Sequence, residues 1–106
     1  MANMATVHMD GIKKYNEEQF EAFQEYRKVC AKVEAEKLPE KTRELIKFSI
    51  ACALRSAPAI ISHANSSYKA GVTKEELLAV LIFLQSMGGM AVYREVLVVL
   101  ADFFEM

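Results

Sequence analysis

Apolar residues recur every three or four positions along most of this chain, and polar or proline- and glycine-marked breaks divide the pattern into about five segments. That period puts apolar side chains on one face of a helix, whereas a half-buried strand would need strict alternation. The first segment follows Asn16, which offers a side-chain cap, with Gln19 three residues on to complete a capping box. Phe20, Phe23, Tyr26, Cys30 and Val33 then form a stripe opposite a face of Glu, Gln, Lys and Arg, predicting an amphipathic helix that ends near Glu36. Ordinary core packing accounts for the aromatic spacing without a cofactor. Ahead of it, Met1 to Lys14 shows no sustained period and reads as a loose arm or a short helix, with His8 in it as a solvent-exposed side chain.

Leu38-Pro39 breaks the pattern, and Glu40 opens a second helix with a negative charge at its positive end. From Leu45 to Leu54 the run LIKFSIACAL carries Lys47 as its single charge. A helix apolar around most of its circumference belongs in the middle of a bundle or between subunits. Arg55-Ser56-Ala57-Pro58 ends it, and a third helix is predicted from Pro58 to Ala70, stopped by Gly71 as a left-handed cap. Thr73 and Glu76 form the clearest capping box in the chain, starting a fourth helix that runs to about Met87. After Gly88-Gly89 a fifth is predicted from Met90 to Phe104, with Tyr93, Val96, Leu97, Leu100 and Phe104 on one side. Val92, Val98, Val99 and Phe103 occupy its other faces, a surplus that a subunit interface would absorb. The expectation is one all-α domain over residues 1–106, a helical bundle of about five helices that oligomerises.

Length and charge narrow the function. A chain of 106 residues suits one domain. Its formal charge is -1 and it has no basic cluster, which argues against a nucleic-acid partner or an anionic membrane. Leu77 to Tyr93 is free of charge and approaches the roughly 17-residue lower limit of a membrane span, but Gln85, Ser86 and Gly88-Gly89 interrupt it. It reads as parts of two buried helices. The start, MANMATVHMDGIKK, shows no basic segment followed by an apolar run, so a cytoplasmic location is the default. Cys30 and Cys52 read as packed free thiols in a reducing compartment.

Few residues could do chemistry: Glu44, Ser56, His63, and Tyr68 or Tyr93. Taken alone, Glu44 compensates a helix dipole and His63 is a core histidine. Together they would make a site, because a buried carboxylate beside an imidazole orients it for proton transfer. At about 1.5 Å of rise per residue, Glu44 lies roughly 18 Å before Ser56 and His63 roughly 10 Å beyond it. A tilted crossing and the length of a glutamate side chain would be needed to bring them together. There is no Gly-rich phosphate loop, no pair of Cys-x-x-Cys sites and no ligand set for a metal, so no cofactor is implied.

The segment KTRELIKFSIACALRSAPAIISHANSSYKAGVTKEELLAVLIFLQSMGGMAV resembles the core of the carboxymuconolactone decarboxylase superfamily, which includes the alkylhydroperoxidase D enzymes. The likeness rests on the second helix, the histidine helix, the K-A-G-V-T-K-E-E turn and the glycine-paired end of the fourth helix, over residues 42–93. In the peroxidase branch a glutamate is followed twelve residues on by a Cys-x-x-Cys pair and then, four further, by a histidine. Here the glutamate falls on Glu44 and the histidine on His63, while Ser56 and Ala59 occupy the cysteine positions. Neither can act as a redox thiol, so the branch's peroxide chemistry is not supported. The decarboxylase branch also lacks the cysteines and shares the TRxLxxxxxxxAL pattern from Thr42 to Leu54, but has a polar His/Glu pair where this chain has Pro58 and Ala59.

The resemblance implies an alkylhydroperoxidase D-like fold and a homotrimer or homohexamer, with no nucleic-acid or membrane partner. It points to a lactone-decarboxylase-like lyase in which His63 moves a proton on a small carboxylated organic acid, Glu44 orients it and Ser56 offers a hydrogen bond. Arg43 or Arg55 would supply the cation such a substrate requires. The competing reading is a non-catalytic small-ligand binder or oligomeric scaffold; a third is thiol antioxidant activity through Cys30 or Cys52.

Overall fold

The computed structural model describes residues 10, 11 and 13–104, so His8 lies outside the described residues. Its elements are all α-helices: α1 Glu17–Lys37, α2 Glu40–Ala53, α3 Ala57–Lys69, α4 Lys74–Gly88 and α5 Met90–Val99. Residues 10, 11 and 13–15 are also helical, and no strand occurs among the described residues. The chain divides into two compact units, Met1–Pro39 and Glu40–Met106.

In the first unit α1 begins where its cap predicts, with the Gln19 backbone N–H donating to Asn16 Oδ1 at 2.9 Å. Glu17 and Glu18 in its first turn and Lys37 in its last complement the helix dipole. The aromatic stripe expected to enter a core does not do so. No residue of α1 is buried, and Phe23, Tyr26 and Val33 are all exposed. Among the described residues the buried side chains come from residues 48–104, where the second unit supplies its own apolar filling.

In that unit α2 packs against α3 and α4, α4 against α5, and α5 also touches α2 and α3. The fully buried centre comprises Phe48, Cys52, Ile60, Leu77, Leu81, Val96 and Leu100. Of the two places expected for α2, the middle of a bundle or a subunit contact, the single chain provides the first only in part, since Ile46, Ile50 and Leu54 are exposed along one side. Three neighbouring helices cover only part of a cylinder. The open side of α2, together with α4, forms a groove of about 590 Å³ walled by Leu45, Ile46, Ile50, Val80, Phe83 and Met87.

Three corners set how these helices meet. After α2 the Ser56 N–H returns to the Ala51 carbonyl and the Arg55 N–H to that of Cys52, a closure that usually places glycine in the left-handed position. Arg55 fills it instead, at φ 58°, and pairs with Glu95 at 3.1 Å. Arg55→Gly is expected to be about 1 kcal/mol more stable than Arg55→Ala in urea unfolding, because both lose the ion pair and only alanine keeps the Cβ clash. Equal stabilities would show that the corner carries no strain.

After α3 the same closure falls on Gly71, at φ 91°, with the Val72 N–H reaching the Ser67 carbonyl. The capping box of α4 is complete: Thr73 Oγ1 accepts from the Glu76 N–H, and Glu76 Oε1 accepts from the Thr73 N–H. That backbone bond, with Lys41 Nζ 3.0 Å away, holds the Glu76 carboxyl below its ordinary range. Gly89, again at φ 91°, separates α4 from α5.

The last helix is shorter than its apolar spacing predicts. It ends at Val99, and residues 100–104 continue as turns. Leu100 and Phe104 are buried as expected, but the Phe104 carbonyl turns to accept from Lys74 Nζ at 3.0 Å. The weak helix propensity of Val98 and Val99 favours an ending there. Val92 is buried rather than surplus, while Val98 is exposed. No described helix is long and apolar enough to cross a membrane.

Candidate active site

Glu44 lies in the second turn of α2 and His63 midway along α3. The antiparallel crossing of these helices closes the gap that separates the two residues along the sequence. Phe48 on α2 and Ala64 on α3 are both fully buried and belong to one hydrophobic core. Glu44 Oε2 lies 3.7 Å from His63 Nδ1. This is longer than a hydrogen bond.

Both atoms are buried and neither has a hydrogen-bond partner. Leaving two buried polar atoms unsatisfied costs free energy, and a side-chain adjustment of roughly an ångström would satisfy both at once. The Glu44 side chain is 16 % exposed and that of His63 31 %. With Nδ1 buried, the accessible part of the ring lies away from the carboxylate.

Ser56 is not part of this contact. It occupies the N-cap of α3 with no side-chain capping bond, seven residues and hence roughly 10 Å along the helix from His63. Ala59 packs half-buried against the core and Pro58 sits in the first turn of α3. Tyr68 stacks on Phe103 at 4.7 Å between centroids, and Tyr93 packs against the core. Of the two candidate cations, Arg55 is engaged with Glu95 beside a cleft of about 340 Å³. Arg43 keeps a buried Nε with no hydrogen-bond partner.

The sequence reading missed Ser67. Among the described residues it is the buried polar one, at 0 % exposure, and its hydroxyl donates to the Glu44 backbone carbonyl at 3.5 Å. The signal was present: Ser67 lies four residues after His63 and therefore shares its helix face.

Cys52 is poorly placed for redox work. Both thiols are free, and burial pushes that of Cys52 up to about 12, so almost no Cys52 thiolate exists at neutral pH. Native protein treated with iodoacetamide at pH 8 is expected to be alkylated at half-buried Cys30 and spared at Cys52, whose rate should climb only as the pH approaches 12. Peptide mass mapping reads this directly, and equal labelling of both would contradict the burial argument. Among the described residues no group of three or more His, Cys, Asp or Glu could hold a metal ion.

A family model described as the carboxymuconolactone decarboxylase family matches residues 17–102. No curated protein and no solved structure matches the chain.

Proposed function

The chain belongs to the carboxymuconolactone decarboxylase family, and from that premise we propose that it performs acid–base chemistry on a small carboxylated organic substrate through His63 and Glu44. The observation that carries the reading is the approach of Glu44 Oε2 to His63 Nδ1, two buried atoms with no other partner. A carboxylate facing Nδ1 holds a proton there and leaves Nε2 to work on a ligand. In decarboxylation of an unsaturated carboxylated lactone, the C–CO₂ bond breaks and its electron pair passes into the conjugated carbonyl. The carbon then needs one proton. His63 supplies it from Nε2 and ends neutral, with its Nδ1–H directed at Glu44. Arg43, whose buried Nε lacks a partner, is the better placed of the two arginines to take a carboxylate.

Incubating the protein with an unsaturated carboxylated γ-lactone in D₂O is the direct test. Release of CO₂ with one deuteron gained at carbon is expected, and Glu44→Gln should lower kcat by about a hundredfold with little change in KM. A Glu44→Gln variant at full rate would remove the carboxylate from its role.

The groove between α2 and α4 favours a second reading, a non-catalytic binder or scaffold. Its walls are almost wholly apolar and include neither Glu44 nor His63. A thermal-shift screen of small apolar compounds separates the two: a hit recovered chemically unaltered, together with no CO₂ release from the lactone, supports binding.

A further inference from the structure

We propose that Ser67 is the positioning residue of the Glu44–His63 pair, an inference that rests on the acid–base reading above. A serine in a helix interior generally turns its hydroxyl to a carbonyl of its own helix or to solvent. Ser67 does neither: it is fully buried, and its hydroxyl crosses to the Glu44 carbonyl of α2 at 3.5 Å. That carbonyl has a second lone pair beyond the one its own helix uses, so the bond adds to α2 without breaking it.

Burying a hydroxyl costs free energy that an alanine at the same place would not incur. Apolar packing alone therefore gives no reason for a serine here. What the hydroxyl does is mechanical. His63 and Ser67 lie four residues apart on one face of α3, so tying Ser67 to the backbone of Glu44 fixes the ring relative to the root of the glutamate side chain. Without the tie, apolar packing alone positions α3 against α2 at this level, and the separation of Oε2 from Nδ1 is no longer held.

The test needs no substrate. In ¹⁵N-histidine-labelled protein at about pH 8.5, where an ordinary imidazole is neutral, the nitrogen shifts of His63 report its ratio of Nδ1–H to Nε2–H tautomers. Wild type is expected to favour Nδ1–H, and Glu44→Gln to lose that preference. Ser67→Ala, with Glu44 still present, should lower the ratio by about twofold, the change expected from losing a hydrogen bond at the long end of the range. Ser67→Cys, which fills the same space with a weak donor, should fall between the two and serves if the alanine variant does not fold. A ratio unchanged in Ser67→Ala, even with a lower Tm, would make Ser67 a packing residue only and overturn the proposal. A wild type no different from Glu44→Gln would overturn it too, since there would be no pair to position. If the lactone is not turned over but the tautomer still responds to Ser67→Ala, the positioning role stands and the enzymatic reading fails.

Discussion

Replacing His63 with glutamine is expected to lower turnover of a carboxylated lactone by about a hundredfold to ten-thousandfold while leaving the helices intact. Glutamine approximates the reach of histidine and can still hydrogen-bond to Glu44, but it cannot give or take a proton near neutral pH. His63 is only partly buried and is absent from the fully enclosed centre of the bundle, so Tm and the far-ultraviolet spectrum should barely change. Initial rates of CO₂ release from both proteins measure the effect. Turnover by His63→Gln at the wild-type rate would place the chemistry elsewhere and leave the Glu44 contact as a structural feature. A loss of turnover accompanied by unfolding would point to packing, which is why both quantities are measured on the same preparation.

Phe48→Ala is expected to have the largest effect on stability, about 3–5 kcal/mol. The ring is fully buried in the core, and its removal leaves a cavity that neighbouring helices can fill only by moving. Against the 5–15 kcal/mol typical of a folded domain, such a loss takes the protein close to unfolding at ordinary temperature. Ile50→Ala, on the open side of α2, provides the contrast and should cost less than about 1 kcal/mol in the isolated chain. Urea titration of both variants decides the matter. A loss at Ile50 as large as that at Phe48 would mean that the α2–α4 groove is filled in solution.

The loss at Phe48 should also reach the site. Glu44 lies one turn earlier on α2, so a collapse around position 48 shifts the carboxylate relative to the ring. In the ¹⁵N measurement, any Phe48→Ala protein that remains folded should show a weaker Nδ1–H preference than wild type.

Local chemistry made most of the helix boundaries legible in the sequence. Asn16, Thr73 with Glu76, Gly71 and Gly89 satisfy backbone groups within a few residues of themselves, so their effect needs no knowledge of distant chain. Heptad-like spacing likewise identified Val96, Leu100 and Phe104 as inward-facing. Apolar spacing alone overextended α5 past Val99, because that spacing continues through Leu100 and Phe104 while the β-branched Val98 and Val99 favour an end to the helix. It also assigned the α1 stripe to a core, since amphipathic spacing says which face is apolar but not what covers it.

What the sequence determined by itself was the succession of helices, their caps and the family. Only the tertiary structure decided that Glu44 Oε2 comes within 3.7 Å of His63 Nδ1 while Ser56 stands apart, and that the Ser67 hydroxyl faces the Glu44 carbonyl at 3.5 Å. The physical reason is one of range. Caps and periodicity act over a turn or two of helix, whereas the distance between two side chains on different helices depends on crossing angle and register, which the packing of the whole bundle sets.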